Sequence, residues 1–301
     1  MDAIASTEPR VHTTMTVAQL LDQSRRALAC AGVESAARET TWLLEKALQT
    51  TGLKLAIERN RSLTPFQWAE AEALIARRAA REPLQYILGS QEFCGLDFEV
   101  SPAVLIPRPE SELLVEETRQ TRIAKDQPII VDIGTGSGCL AVTLATLVAS
   151  ATVYAVDCSP AALAVAHRNI SRHSVQGQVS CVLGDLCSPL TSLGLAGQVD
   201  MILSNPPYIT EAEWPSLQPE VRDFEPRCAL IAGPAGTEVH RRLLEEAWKF
   251  LVPGGWLFME VGKGQSDAVC RLATRIGHYT EPTVRQDAAG IERIVRVQSL
   301  G

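Results

Sequence analysis

Eight cysteines stand in the 301-residue sequence without a C-x-x-C pair and without the Cys/His spacing that tetrahedral zinc requires, so no metal ligand set is nominated and reduced, mostly buried thiols are expected. The first residues include Asp2 and Glu8 and lack an apolar core segment, unlike a secretory signal or a transit peptide, which leaves the cytoplasm as the expected location. No apolar run is long enough to cross a bilayer. The longest, around Leu140 to Ala149, carries Thr143 and Thr146 and reads as a buried helix. A basic stripe is also missing: 28 Lys and Arg are scattered among 35 Asp and Glu, for a formal net charge of -7. No direct nucleic-acid partner and no membrane are therefore expected. Neither a G-x-x-x-x-G-K-[ST] loop for a triphosphate nor an internal repeat or low-complexity tract occurs.

The first part of the chain reads as helix. Val17, Leu20, Leu21 and Leu28, then Trp42, Leu43, Leu44, Ala47 and Leu48, recur at helical spacing, with Gly32 and Gly52 placed as helix stops. Thr64-Pro65-Phe66-Gln67 offers an N-cap, a proline at the first helical position and a capping-box glutamine for a third helix. A small helical domain is expected over residues 1–90, followed by a second domain over 91–301 whose linker, about residues 91–105, begins as a hairpin around Gly95. Pro102, Pro107 and Pro109 make an extended segment before a helix over Glu110 to Arg119. After Pro128 strand and helix alternate as in a parallel α/β sheet. Strands are expected near Ile129 to Ile133, Thr152 to Val156, Val179 to Leu183, Val199 to Ser204, Trp256 to Val261, Glu281 to Gln286 and Ile291 to Val297.

Three features carry chemistry. Val131-Asp132-Ile133 runs into Gly134-Thr135-Gly136-Ser137-Gly138 and then a helix, an arrangement that brings backbone close to a ligand. Its G-x-G-x-G spacing differs from the dinucleotide fingerprint, and a purely structural glycine turn stays open. Asp157 ends the next strand about 20 residues on, where a carboxylate can accept both ribose hydroxyls of a nucleoside or simply cap the following helix. With no triphosphate loop, a nucleoside without phosphates fits best, and S-adenosylmethionine is one.

The fourth strand ends in Ser204-Asn205-Pro206-Pro207-Tyr208, beyond the carboxyl ends of the strands, where open α/β sheets hold ligands. A planar amide or amino nitrogen is a poor nucleophile because its lone pair is delocalised. A site for its methylation must localise that pair and hold it in line with the donor methyl. The Asn205 side-chain oxygen and the Pro206 carbonyl can accept the two N–H bonds. Consecutive prolines remove two competing N–H donors, and Tyr208 can stack on a flat group. A turn with a packed tyrosine is the alternative for the isolated tetrapeptide.

The segments Pro83-Leu84-Gln85-Tyr86-Ile87-Leu88-Gly89, Glu92 to Leu96 and Ile106-Pro107-Arg108-Pro109-Glu110-Ser111-Glu112 closely resemble the PrmC/HemK family of release factor N5-glutamine methyltransferases. Asp132 to Gly138, Ser204 to Ile209 and Phe224 to Leu230 agree in order and spacing, so the resemblance spans essentially the whole chain. It implies a Rossmann-like class I methyltransferase sheet of seven strands behind a helical domain that docks the release factor, with the glutamine of a Gly-Gly-Gln motif as acceptor. By that match Gly134, Thr135, Gly136, Ser137, Gly138, Asp157 and Asn205 would bind the cofactor. Pro206, Pro207 and Tyr208 would complete the glutamine pocket with Asn205, and Ile106 to Glu112 would lie over it. Leu186 stands where many relatives carry an aromatic residue, so an adenine contact there would be apolar. Ser111 replaces the usual threonine, and Glu260-Val261-Gly262 departs slightly from the usual Glu-His-Gly or Glu-Ile-Gly.

Two rival functions remain at this stage. An adenine-N6 methyltransferase acting on DNA or RNA meets the same flat nitrogen, against which stand the acidic balance and the lack of a basic recognition domain. A non-catalytic binding protein on the cofactor fold is disfavoured by the intact loop, Asp157 and tetrapeptide. His12, His167, His173, His240 and His278 share no site spacing and are assigned nothing. Trp42 and Trp68 are expected as core anchors, and Arg77, Arg78 and Arg81 as a solvated helix face.

Overall fold

Thr16 and Thr64 each accept the backbone N–H of the residue three positions on, while Gln19 and Gln67 accept the N–H of the cap residue, so two helices begin on capping boxes. The computed structural model describes residues 15–121 and 125–301, and the chain separates into two units at Leu88/Gly89. His12 lies outside the described residues.

The first unit holds α1 (Val17–Cys30), α2 (Ala36–Leu48), α3 (Gly52–Ile57), α4 (Pro65–Ala79) and α5 (Leu84–Leu88). Leu20, Leu21, Leu44 and Leu48 pack in one cluster, and Leu28, Leu43, Ile75 and Ile87 in another. Several expectations need correction. Gly52 opens α3 rather than stopping α2, which ends on Gln49 in the left-handed conformation (φ 48°). Trp42 is no core anchor, being 41% exposed, while Trp68 is half-buried against the first cluster. The arginines are not a solvated face: Arg78 is buried in an ion pair with Glu39, Arg77 pairs with Glu82, and Arg81 donates to the carbonyls of Ala31 and Gly32 that end α1.

The second unit begins with a hairpin of β1 (Ser90–Phe93) and β2 (Leu96–Glu99), whose turn residues Cys94 and Gly95 both have positive φ. A 3₁₀ turn at Pro109–Ser111 leads into α6 (Glu112–Gln120). There follow β3 (Ile129–Ile133), α7 (Cys139–Leu147), β4 (Thr152–Asp157), α8 (Pro160–Arg172), β5 (Val179–Leu183), α9 (Ser188–Ser192) and β6 (Val199–Ser204). Then come β7 (Ile209–Thr210), α10 (Pro219–Phe224), β8 (Ile231–Gly233), α11 (Glu238–Ala247), β9 (Leu251–Glu260), α12 (Ser266–Ile276), β10 (Thr283–Gln286) and β11 (Glu292–Gln298).

Seven strands form one sheet in the order β10-β11-β9-β6-β3-β4-β5, with β11 antiparallel to both its neighbours and the pairs from β9 to β5 parallel. Alternate residues feed opposite faces. Val131, Ile133, Ile202 and Leu257 pack on one side with Leu243 and Leu244 of α11, and Ile130, Met201, Leu203 and Phe258 on the other with Leu114 of α6 and Leu140 of α7. The chain leaves β3 towards β4 and β5, then returns to pair β6 with β3 on its other edge. That reversal places a crevice beyond the carboxyl ends of β3 and β6. Strand β9 begins earlier than expected, at Leu251, because its ladder with β6 is interrupted between Val199 and Met201, opposite Pro253-Gly254-Gly255. The thiols are all free but not mostly buried: only Cys187 is, and Cys30, Cys158 and Cys228 are exposed.

Candidate active site

At the crevice, the loop after β3 uses three glycines in two ways. Gly134 (φ 76°), Gly136 (φ 53°) and Gly138 (φ 80°) are all left-handed. A Cβ on Gly134 or Gly136 would meet no heavy atom within 4 Å, whereas one on Gly138 would lie 3.2 Å from the Ala166 Cβ of α8. The first two therefore border open space, and the third is a packing contact between helices. Thr135 Oγ1 donates to Asp132 Oδ2 (2.6 Å), which also accepts the Ala141 N–H (3.2 Å), so a buried carboxyl ties strand, loop and helix together. Burial pushes that carboxyl up to about 7 despite the two bonds it accepts. The Ser137 carbonyl accepts from Asn169 Nδ2 (2.8 Å).

Asp157, at the end of β4, accepts the Gly136 N–H on Oδ2 and the Ser159 N–H on Oδ1, both at 2.9 Å. It thus shapes the glycine loop and the start of α8 while keeping lone pairs for a ligand. A cavity of about 210 Å³ opens beside it, lined by Ile133, Gly134, Gly136, Asp157, Leu186 and Asn205, with Val104, Leu105, Ile231 and Val239 supplying apolar wall. Five of the residues expected at the cofactor border this cavity. Thr135, Ser137 and Gly138 do not, because their atoms are engaged inside the loop and against α8. Arg242, also in the wall, is held by Asp185 (2.6 Å). An apolar slot, the Asp157 carboxylate beside an Asp185 already paired with Arg242, and a glycine cradle fit a nucleoside without phosphates.

Beyond β6, Ser204 Oγ donates to the Ile133 carbonyl (2.8 Å) and fastens the two strand ends across the crevice. Asn205 Nδ2 donates to Ser111 Oγ (2.9 Å), and Ser111 Oγ donates to Glu260 Oε2 (2.6 Å). The Tyr208 hydroxyl approaches Glu260 Oε1 at 3.5 Å, and burial, ahead of the Glu260 charge, raises its pKa. Glu260 itself is 1% exposed, and burial pushes its carboxyl up to about 7, outweighing the bond from Ser111. Gln265 accepts the Gly262 N–H (3.0 Å) and donates to the Tyr208 carbonyl (2.8 Å), setting the tetrapeptide against the end of β9.

A second cavity, about 180 Å³, is lined by Leu105, Arg108, Asn205, Tyr208, Ile209, Leu217, Val221, Ala229 and Leu230. Asn205, Leu105 and Ala229 line both cavities. Pro207 borders the first, Tyr208 the second, and Pro206 is buried and lines neither. Arg108 pairs with Glu225 (2.5 Å), and the same carboxylate accepts the Ile106 N–H (3.1 Å), which pins the proline-rich segment at this site. Glu260, Ser111, Glu225 and Gln265 were not among the sequence-nominated site residues. Ser111 and Glu260 are 149 positions apart, and no local pattern links them. His240, assigned nothing, is fully buried and hydrogen-bonded through Nε2 to the Glu260 carbonyl (2.8 Å).

Among the described residues no helix is long and apolar enough to cross a membrane. Residues 19–89 match the PrmC N-terminal domain and residues 109–217 the methyltransferase small domain. The release factor glutamine methyltransferase of Geobacter sulfurreducens is 45% identical over 280 residues, covering 93% of this chain and 95% of that protein. The enzyme of the same name from Moorella thermoacetica is 42% identical over 279 residues, covering 93% and 97%. In fold, the hMettl16 catalytic domain, solved in complex with MAT2A 3'UTR hairpin 6, superposes with a TM-score of 0.55 at 16% identity, covering 80% of this chain and 85% of that chain. With relatives this similar along nearly the full length, and with both unit-level matches in place, the chain belongs to the release factor glutamine methyltransferase family.

Proposed function

We propose that this chain transfers a methyl group from S-adenosylmethionine to the side-chain amide nitrogen (N5) of the glutamine in the Gly-Gly-Gln motif of peptide-chain release factors. One observation carries the reading: Asn205 is shared by two cavities, and its Nδ2 is committed to Ser111, which leaves its Oδ1 for a ligand. The bound cofactor supplies an electrophilic methyl on a sulfonium. Gly134, Gly136, Asp157 and Leu186 would hold its nucleoside part in the first cavity, and the glutamine side chain would enter the second, over Tyr208.

Catalysis here is orientation. Asn205 Oδ1 would accept one amide N–H and the Pro206 carbonyl, once the glutamine side chain reaches past Tyr208, the other, which turns the nitrogen lone pair towards the first cavity. The nitrogen sheds its proton to water once methylated, since only then is that proton acidic, so no strong base is required. The family assignment and the acidic charge balance favour a protein acceptor over an adenine. The helical unit would dock the release factor, and the cytoplasm, where translation terminates, is the setting this reaction requires.

Incubation with methyl-labelled S-adenosylmethionine and a release factor, its Gln-substituted variant, or DNA tests the reading. Label is expected only in the unsubstituted factor. Label in DNA, or equal label in the Gln variant, overturns it.

A further inference from the structure

The hydrogen-bond chain beneath Asn205 has a direction. An ionised carboxylate only accepts, so the Ser111 hydroxyl, 2.6 Å from Glu260 Oε2, commits its single proton there. Its lone pair then receives Asn205 Nδ2 at 2.9 Å, and an amide bound through its nitrogen can offer only oxygen on its free side. We propose that Glu260 is a positioning residue: acting through Ser111, it fixes which end of the Asn205 amide faces the acceptor nitrogen. This rests on the reading of Asn205 Oδ1 as the acceptor of a glutamine N–H.

The reverse state follows from the same geometry. A proton taken from water onto Glu260 Oε2 makes that oxygen the donor to Ser111 Oγ. The serine hydrogen, released from Glu260, is satisfied by Asn205 when the amide rotates its oxygen to receive it. The amide now presents its NH2 group to the N–H of the substrate, donor against donor, and the lone-pair orientation is lost.

The surroundings of Glu260 place this reversal near neutrality. From the turn before α6 come Ser111 and Glu110, from the loop after β6 the Tyr208 hydroxyl, and from β11 Arg293. Arg293 is shared with Asp287 (2.9 Å) and Glu110 (3.6 Å), which blunts its pull on Glu260. His240 of α11 meets the backbone oxygen of Glu260, not its carboxyl. Burial is the dominant influence, and the carboxyl is pushed up to about 7. Burial also pushes the Asp132 carboxyl up to about 7, but Asp132 is bonded to Thr135 and Ala141 beneath the glycine loop and has no hydrogen bond to Ser111 or Asn205.

Methylation of intact release factor by the full chain, followed from about pH 6 to about pH 9, tests the relay. The wild type should lose kcat as pH falls through about 7, and in Glu260→Gln, which has no proton to gain, that fall should vanish. Ser111→Ala should lower kcat about 10²-fold without changing cofactor affinity, and Ser111→Thr, which keeps the hydroxyl, should recover most of the loss. An acid limb that persists in Glu260→Gln, or wild-type turnover in Ser111→Ala, overturns the assignment. The side-chain amide NMR signals of Asn205 in the cofactor complex give a readout independent of the acceptor and of whether Glu260→Gln folds. They should titrate together with the Glu260 carboxyl carbon. Co-titration without methyl transfer to glutamine would keep the relay and reject the proposed function; release-factor methylation with Asn205 signals that do not titrate would do the reverse.

Discussion

Asn205 combines two roles that substitution can separate. It lines the first cavity, proposed for the cofactor, while its amide oxygen is the proposed partner of the acceptor. Asn205→Ala should therefore reduce kcat by about 10²- to 10³-fold, as removal of one oriented polar partner does, with cofactor affinity nearly unchanged by calorimetry. Comparable losses in both would mean the residue only shapes the cavity. Asp132 makes a different prediction, on stability. Its folded carboxyl, at about 7, lies above its ordinary 3.8, so its contribution is fully present below about 4 and is lost as pH rises through about 7. Asp132→Asn retains an amide oxygen for Thr135 and Ala141, and relative to wild type it should gain stability between about pH 5 and about pH 8 in urea titrations. An unchanged difference between the two pH values would contradict burial as the cause. Asn205 and Asp157 were legible in the sequence because each stands at a strand end within a short motif. Ser111 and Glu260 were not legible as partners, since only the packed fold joins residues 149 positions apart.

Strands β3 to β6 could be read from short, mostly apolar runs, as strands of a covered parallel sheet show. Elements too short to repeat a face more than once could not. Helices α3 and α5 span six and five residues, and β7 and β8 two and three, too few to repeat any face. The glycine loop was legible as a ligand-approaching turn, but not the division of labour within it. That division is testable. A methyl on Gly136 projects into the open cavity, and one on Gly138 meets Ala166 of α8 at 3.2 Å. Both positions have positive φ, so each alanine carries about 1–2 kcal/mol of backbone strain. Gly136→Ala should add a loss of cofactor affinity with little further loss of stability. Gly138→Ala should lose more stability, by about 1–3 kcal/mol of overpacking, and less affinity. Thermal melts and cofactor titrations of the two variants should rank them in opposite order.

Across the whole molecule, the two units differ in what they present: one holds the cavities, the other an exposed apolar surface. Among the described residues, every one that lines the two cavities lies between Ala103 and Arg242, in the second unit. The helical unit's distinguishing feature is apolar surface left in water: Leu53, Ile57 and Phe66 are each more than 70% exposed, on α3 and at the start of α4. Large exposed apolar side chains that no core requires are the usual anchors of a protein partner. Phe66→Ser and Leu53→Ser should leave the fold intact, because neither side chain packs in the helical core, and should each raise KM for intact release factor by about tenfold, the loss expected of one moderate anchor. A short peptide carrying Gly-Gly-Gln engages only the catalytic unit, so its methylation should not respond to either change. Equal effects on factor and peptide, or none on the factor, would remove these residues from docking and leave recognition to the cavity alone.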